Sequence, residues 1–298
     1  MKRFVKIILC LSLIMMVLFG CGSAQISSLE ELENQRFILD SEPVELKGDL
    51  GDHAVVYRIK YKSDEYEVVG YIAAPIEYKE KNYPVLIYNR GGNGDFGKLD
   101  PNMVGSLATA NYIVLASQYR GVDGGTGFDE FGGEDIHDVL RLIDISEDFD
   151  FAQKGGVYMA GYSRGGMMTY IACRKDERIK AAAVMSGVSD LTAAVGIRPD
   201  MASICAERLG GTVESAPKEY EERSALNWAD EINAPILIIH GGEKDWRVPT
   251  QQSIDMDAAL EKAGKEHKLI IYENADHSLN VTDYMYDVMD WFNNNPIK

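Results

Sequence analysis

Hydrophobic and polar positions divide the chain into strands and helices. Residues 54–63 and 66–75 are two runs rich in β-branched and aromatic residues, joined by a short polar turn, which predicts an antiparallel hairpin. Nearly continuous apolar runs follow, and they are typical of strands buried on both faces. These runs are YPVLIYN, YIVLAS, VYMAG, AAAVMSG, PILIIHG and KLIIYE. Segments with helical spacing separate most of them, so the pattern predicts a mostly parallel, doubly wound α/β sheet with helices on both faces.

Residues 188–233 interrupt this alternation with a long, mixed and mostly helix-like segment. In an α/β sheet, an insertion of this kind lies beyond the carboxyl ends of the strands, where ligands bind. We therefore expect a small helical cap rather than a second domain. Residues 46–298 are expected to form a single domain that includes this cap.

The first residues differ in composition from the rest. A basic start, MKRFVK, precedes the apolar run IILCLSLIMMVLF, which is short for a membrane span. Residues 1–20 are therefore predicted to be a secretory signal peptide. The run ends in LFGC, which resembles the bacterial lipobox and makes Cys21 the expected site of lipid attachment, although an ordinary signal peptide with an incidental cysteine is the alternative. We expect an extracytoplasmic protein held at the bacterial cell membrane by this lipid only, with residues 21–45 as a polar tether.

Charge and cysteine content exclude several classes of function. The formal net charge is -17 and the pI is near 4.7, so the chain repels phosphate backbones and nucleic acid is not an expected partner. Cys173 and Cys205 remain outside the leader and could pair outside the cell, although the apolar surroundings of Cys173 favour a buried thiol. Neither has the neighbouring ligands of a zinc site, and no cofactor is expected.

The segment GYSRG, residues 161–165, matches the pattern G-x-S-x-G. It lies between a predicted strand and a predicted helix, where this pattern forms a sharp turn that presents the serine hydroxyl at the end of the sheet. Ser163 is therefore the candidate nucleophile. An ordinary serine in a glycine-rich turn is the alternative.

A serine hydroxyl needs a base, which is normally a histidine. His277 lies in a loop directly after a predicted strand, at the sheet edge where Ser163 is expected, and it is the candidate base. His240 ends a strand and is expected to have a packing or loop-shaping role. His267 lies in a polar turn and is expected to be exposed.

The base needs an orienting carboxylate, and Asp245 lies in the loop after another strand at the same edge. Glu243 and Asp230 are weaker alternatives. The order Ser163, Asp245, His277 along the chain is the nucleophile–acid–base order of α/β-hydrolases.

Acyl transfer also needs donors for the oxyanion of the tetrahedral intermediate. The backbone N–H of Arg164, directly after the candidate nucleophile, is one expected donor. The glycine-rich loop NRGGNG, residues 89–94, is expected to supply the other through the N–H of Gly91. An ordinary glycine turn is the alternative for this loop.

Seven stretches together resemble the catalytic α/β-hydrolase domain of the prolyl oligopeptidase family of serine peptidases. They are YPVLIYNRGG, SQYRGVDGGTGF, GGEDIHDVL, AGYSRGGMMTY, AAAVMSGVSDL, PILIIHGGEKDWRVP and ENADHSL, and they extend over residues 55–295. The resemblance implies an α/β-hydrolase fold and gives Ser163, Asp245 and His277 the roles of nucleophile, acid and base.

The chain departs from the family pattern in two ways. Larger members carry a β-propeller before the hydrolase domain, whereas about fifty residues lie between the leader and the hydrolase-like part here, too few for several four-stranded blades. The paired glutamates with which dipeptidyl peptidases hold a substrate amine have no counterpart. Arg90 stands where relatives often have histidine or tyrosine, so its side chain is not assigned to the oxyanion.

Two classes of function follow from these residues. The first is a serine hydrolase that cleaves a small peptide or ester through an acyl-enzyme on Ser163. Family resemblance favours the peptidase, and a small-molecule carboxylesterase is the alternative. The second class is a non-catalytic surface-anchored binding protein that reuses the fold. The oligomeric state is not predicted.

Overall fold

A computed structural model of the protein describes residues 27–280 and 283–298. Within these residues, nine strands form a single sheet in the order β1-β2-β3-β5-β4-β6-β7-β8-β9. The strands are β1 (Ile38–Pro43), β2 (Ala54–Ser63), β3 (Tyr66–Pro75), β4 (Val85–Asn89), β5 (Ile113–Ser117), β6 (Val157–Tyr162), β7 (Ile179–Met185), β8 (Ile236–Gly241) and β9 (His267–Tyr272). The helices are α1 (Pro101–Ala108), α2 (Ile136–Ser146), α3 (Arg164–Lys175), α4 (Leu191–Ile197), α5 (Pro199–Arg208), α6 (Pro217–Glu222), α7 (Gln251–Lys262) and α8 (Tyr284–Asn294).

The sheet has an antiparallel part and a parallel part. Strands β1, β2, β3 and β5 pair antiparallel, and from β5 through β4 to β9 every neighbouring pair is parallel. The predicted hairpin forms with Ser63 opposite Tyr66 and Ala54 opposite Pro75. Asp64 takes the left-handed conformation that its tight turn needs, with φ of 51°. The prediction of an α/β-hydrolase fold with an N-terminal antiparallel hairpin is confirmed.

Helices cover both faces of the sheet because its central strands are apolar on both sides. Leu86 and Ile87 are adjacent on β4 and bury their side chains in two different hydrophobic clusters. The cluster of Ile87 also holds Met168 of α3, whereas the cluster of Leu86 holds Val104 of α1 and Phe292 of α8. Because these strands pair in parallel, their carboxyl ends lie at a common edge of the sheet.

Residues 188–233 form a helical insertion over the carboxyl edge of the sheet. They contain α4, α5, α6 and a 3₁₀ segment, Ala225–Glu231. Trp228 in that segment is 5% exposed and belongs to the main hydrophobic cluster. The insertion is thus anchored to the domain core at its carboxyl end.

The polar tether expected for residues 21–45 is wrong from Leu29 onward. Leu29 and Leu32 lie in a 3₁₀ segment and are fully buried, and the N–H of Leu29 donates to the hydroxyl of Tyr78 at 3.0 Å. Strand β1 then pairs with β2 at the edge of the sheet. The predicted signal peptide, residues 1–20, and Cys21 lie outside the described residues. No helix in the described part of the chain is long and apolar enough to cross a membrane.

Candidate active site

The turn between β6 and α3 holds Ser163 in a strained backbone conformation, with φ of 57° and ψ of -122°. Two glycines make the turn possible. A Cβ atom on Gly161 would lie 2.0 Å from the carbonyl oxygen of Gly165, and one on Gly165 would lie 2.0 Å from that of Asn89. The N–H of Ser163 donates to the carbonyl of Met185 at 2.9 Å and ties the turn to β7. The strand, turn and helix therefore approach more closely than side chains would permit.

Three side chains from different loops meet at this turn. Nε2 of His277 lies 3.0 Å from Oγ of Ser163, and Nδ1 of the same ring lies 2.8 Å from Oδ2 of Asp245. Asp245 follows β8 and His277 follows β9, so both lie beyond the carboxyl ends of parallel strands. The structure thus brings together the three residues that the sequence selected. The carboxylate of Asp276 instead accepts a hydrogen bond from the N–H of Ser278 at 3.0 Å.

The carboxylate of Asp245 is buried and fully hydrogen-bonded. Oδ1 accepts from the N–H groups of Arg247 and Val248 at 3.0 and 2.9 Å, and Oδ2 accepts from His277. Burial alone would raise the pKa of Asp245, but hydrogen bonds from His240, His277 and Val248 outweigh it and hold the pKa well below its ordinary value. Asp245 is therefore ionised at neutral pH, and His277 donates to it from Nδ1. The other ring nitrogen of His277 is then free to accept the proton of the serine hydroxyl.

His240 contacts Asp245 directly, whereas the sequence predicted a packing or loop-shaping role. Its Nε2 lies 3.1 Å from Oδ2 of Asp245 and 2.9 Å from the carbonyl of Val248, while the hydroxyl of Ser253 lies 2.5 Å from its Nδ1. Two acceptors at Nε2 place the proton there. The buried ring of His240 therefore contacts Oδ2, the same carboxylate oxygen of Asp245 that His277 contacts. The expectation for His267 is wrong, because its ring is only 10% exposed and Nε2 lies 3.3 Å from Asp257.

The two backbone groups predicted as oxyanion donors flank Ser163. Arg164 is the first residue of α3, so its N–H has no partner within the helix. A Cβ atom on Gly91 would lie 3.1 Å from Cβ of Ser163 and 3.2 Å from the ring of Tyr162, so the loop after β4 runs directly against the turn. A side chain at position 91 would crowd the space between the loop and the hydroxyl.

The side chain of Arg90 stabilises the glycine loop that follows it. Its side chain is buried, and the guanidinium donates to the carbonyls of Gly94 and Gln118 at 2.8 and 2.9 Å and to that of Phe96 at 3.1 Å. These bonds hold the guanidinium against the loop. Arg90 therefore stabilises this loop, and its side chain stays unassigned to the oxyanion.

Two clefts meet at Ser163 and His277. One cleft of about 390 Å³ lies beneath the cap, and its apolar lining is Phe131, Val188, Leu191, Ala194, Val195, Met201 and Ile204. The other, of about 560 Å³, is more polar and includes Lys98, Arg247 and Asp276. Phe96 and Trp246 border both clefts and are 64% and 65% exposed. An extended substrate can therefore lie across Ser163, with one part beneath the cap and the other part in the open cleft.

The two cysteines outside the predicted leader lie in the hydrophobic core. Cys173 and Cys205 are both buried free thiols. Among the residues that the structure describes, no cluster of histidine, cysteine or carboxylate side chains could hold a metal ion. Arg198 lines the cleft beneath the cap and pairs there with Asp200 at 2.9 Å, and Arg208 donates to the carbonyl of Asp129 at 2.7 Å.

Known proteins share this fold and the sequence around the site. Residues 99–295 match the profile of the prolyl oligopeptidase family. The uncharacterized peptidase YtmA of Bacillus subtilis (strain 168) is 30% identical over 226 residues, which cover 76% of this chain and 87% of YtmA. The acylaminoacyl peptidase of Pyrococcus horikoshii has a TM-score of 0.70 at 23% identity, over 83% of this chain and 42% of that one. Acetyl xylan esterase 1 from Thermoanaerobacterium sp. has a TM-score of 0.64 at 15% identity, over 85% and 86% of the two chains.

The two structural likenesses show the fold alone, and the chain spans less than half of the archaeal peptidase. The family match extends to the sequence of the site, since it includes the turn of Ser163 and the loops of Asp245 and His277. The chain therefore belongs to the prolyl oligopeptidase family, and it is a serine hydrolase of the peptidase type that characterises this family.

Proposed function

We propose that the chain cleaves amide bonds of short peptides through an acyl-enzyme on Ser163. One observation carries the proposal: a single imidazole, that of His277, lies within hydrogen-bonding distance of both the serine hydroxyl and a buried, ionised carboxylate. This is the arrangement that lets a weak hydroxyl nucleophile act at neutral pH.

The reaction follows from the tautomer that Asp245 imposes. Oγ of Ser163 attacks the substrate carbonyl while Nε2 of His277 takes the hydroxyl proton, and Asp245 stabilises the imidazolium. His277 then gives that proton to the leaving nitrogen as the C–N bond breaks. A water molecule repeats the cycle on the ester of Ser163, releasing the acid and restoring the hydroxyl.

The oxyanion of each tetrahedral intermediate is assigned to the N–H groups of Gly91 and Arg164. Support comes from their positions on either side of Ser163 and from the unpaired state of an N–H group at the start of a helix. Donors fixed in this way act on charge that develops only in the transition state, so they raise kcat more than they lower KM.

The apolar cleft beneath the cap is assigned to the side chain that precedes the cleaved bond. Apolar side chains of α4 and α5, among them Leu191 and Met201, line much of this cleft of about 390 Å³, and the charged Arg198 and Asp200, which also line it, pair with each other at 2.9 Å. Burial of a leucine or phenylalanine side chain there is favourable by about 1.5–3 kcal/mol, whereas a charged side chain would lose its hydration. We therefore expect substrates with large apolar residues at this position.

A paired series of chromogenic substrates tests the proposal. N-acetyl-aminoacyl p-nitroanilides and the matching p-nitrophenyl esters would carry alanine, leucine, phenylalanine or aspartate. The expected result is turnover of both series, with kcat/KM for leucine at least about tenfold above that for aspartate. Turnover of esters only would favour the carboxylesterase, and turnover of neither by a folded protein would refute the hydrolase.

A matched pair on α4 tests the assignment of the cleft. Ala194 lines the cleft and is 8% exposed, whereas the neighbouring Ala193 is exposed and lies outside it. Ala194→Leu is expected to lower kcat/KM for the phenylalanine substrate by about tenfold and to spare the alanine substrate. Ala193→Leu should leave both unchanged, and equal effects of the two substitutions would contradict the assignment.

Membrane attachment is a separate proposal that rests on the sequence alone. The LFGC stretch before Cys21 supports lipidation at an outer face of the bacterial cell membrane. Expressed in a bacterium, the full chain should sediment with membranes, and Cys21→Ser should release it to the soluble fraction. Equal distribution of the two proteins would contradict lipid anchoring through Cys21.

A further inference from the structure

Asp129, in the loop that precedes α2, is a buried carboxylate close to the site that the reaction scheme does not use. It is 3% exposed. Its Oδ2 accepts from the N–H of Gly94 at 3.0 Å and from Nη1 of Arg164 at 2.9 Å, and its Oδ1 accepts from Nη2 of Arg164 at 2.6 Å and from the N–H of Phe131 at 3.0 Å. Arg208, at the end of α5, adds a contact at 3.2 Å. One carboxylate thus joins the glycine loop, the serine turn and the cap.

The guanidinium of Arg164 is held rigidly around this carboxylate. It is 2% exposed and lies between the rings of Tyr119 and Phe131, with its carbon 4.6 and 4.5 Å from their centroids. A second carboxylate, Asp135, accepts from Nη2 at 2.7 Å. Burial would raise the pKa of Asp129, but the charge and hydrogen bonds of Arg164 outweigh it and keep the carboxyl ionised. The side chain of Arg164 therefore cannot shift without breaking an ion pair that is enclosed by protein.

The two segments tied by Asp129 are the ones to which the oxyanion donors belong. Arg164 supplies one donor from its own backbone, and Gly94 lies three residues after Gly91 in the same loop. That loop contains glycines in left-handed conformations at 92, 94 and 97, with φ of 76°, 48° and 77°. Such a loop has little conformational preference of its own. Its distance from the serine turn must be fixed by contacts such as the one between Gly94 and Asp129.

We propose that Asp129 is a positioning residue that sets the separation of the two oxyanion donors, Gly91 N–H and Arg164 N–H. The inference rests on the proposed acyl-enzyme mechanism. Asp135 differs in the decisive respect, because within the described part of the chain it accepts hydrogen bonds from Arg164 and from the N–H of Gly132 but none from the glycine loop. Arg164 itself donates from Nη1 to the carbonyl of Gly92 at 3.3 Å, so Asp135 acts on the loop only through Arg164, whereas Asp129 also binds the loop directly at Gly94.

The test compares Asp129→Asn with Asp135→Asn in the otherwise intact protein. An amide at 129 keeps the size but loses the charge and one acceptor, so Gly94 and Arg164 no longer share one anion. Asp129→Asn is expected to lower kcat by about 10- to 100-fold with KM changed less than threefold, since an oxyanion contact acts in the transition state. Asp135→Asn should keep kcat within threefold of wild type, whatever its effect on the unfolding midpoint.

The Ki of a boronic acid inhibitor distinguishes a positioning role of Asp129 from a purely structural one. Boron adds to the serine oxygen and places a tetrahedral oxygen in the oxyanion site, so its Ki should rise in Asp129→Asn by about the factor that kcat falls. A product-like carboxylic acid, which forms no adduct, should bind both proteins equally. If Asp129→Asn does not fold, Asp129→Glu is measured by the same criteria.

Three results would overturn the proposal: a folded Asp129 variant with kcat within twofold of wild type, a loss of kcat with unchanged boronate Ki, or equal losses in the variants of Asp129 and Asp135. Failure of the underlying function looks different. In that case the wild type itself would form no covalent adduct with a fluorophosphonate.

Discussion

Replacement of Asp245 by asparagine tests whether this carboxylate sets the tautomer of His277. In the wild type, Oδ1 accepts from two backbone N–H groups and Oδ2 faces the N–H groups of His277 and His240. An asparagine has one acceptor oxygen and one donor NH₂. With its oxygen toward the backbone donors, the NH₂ faces His277 and forces that ring to accept at Nδ1. Nε2 then carries the proton and cannot take another from Ser163.

The opposite amide orientation is disfavoured. It would turn the NH₂ toward the N–H groups of Arg247 and Val248 and leave both donors without an acceptor, which costs about 1–3 kcal/mol for the buried N–H of Val248. The wrong histidine tautomer therefore dominates. In Ser–His–Asp hydrolases this error lowers kcat by about 10⁴, which corresponds to about 5.5 kcal/mol of transition-state stabilisation.

The assay is kcat/KM on the preferred p-nitroanilide, measured together with urea unfolding of each protein. Glu243→Gln is the matched control, because Glu243 is an exposed acid on the same loop, whereas Asp245 is the carboxylate that binds Nδ1 of His277. We expect Asp245→Asn to lose about 10⁴ in kcat with KM little changed, and Glu243→Gln to be unaffected. A folded Asp245→Asn protein within tenfold of wild type would refute the assigned tautomer.

Further predictions concern packing and thiol chemistry. Gly165→Ala should destabilise the fold by about 3 kcal/mol because its Cβ would meet the carbonyl oxygen of Asn89 at 2.0 Å, whereas Gly196→Ala, with open space around it in α4, should stabilise by about 0.5–1 kcal/mol. Urea midpoints measure both, and equal shifts would contradict the packing argument. Burial raises the pKa of Cys205 to about 11 and that of Cys173 further, so iodoacetamide at pH 8 should modify neither thiol in the native protein and both in urea. Peptide mapping by mass spectrometry checks this, and rapid native modification of either would count against their burial.

The sequence predicted the parts of the fold where pattern and burial agree. The hairpin strands were expected at 54–63 and 66–75 and are found there, because each has a partner strand on both sides and buries apolar side chains, β3 on both of its faces. Strand β1 was missed since Asp40, Ser41, Glu42 and Pro43 are polar or strand-breaking. A strand at a sheet edge needs only one partner and tolerates such residues. Strand β1 forms because it pairs with β2, and the pattern of its own residues does not predict it.

The same distinction applies to the site. Ser163, Asp245 and His277 could be selected because each follows a predicted strand, and the carboxyl ends of parallel strands share one edge. The contacts of His240 and Asp129 could not, since a histidine at a strand end or an aspartate in the polar loop GFDEFGG has many possible partners. Only the tertiary packing decides which buried donors those two side chains meet.

The central claim is that Ser163 becomes covalently acylated with His277 as its base. Intact-mass measurement after incubation with a fluorophosphonate tests it most directly. We expect one adduct per wild-type chain, located by peptide mapping on Ser163, and none on Ser163→Ala. A folded wild type that remains unmodified, or an equal adduct on Ser163→Ala, would contradict it.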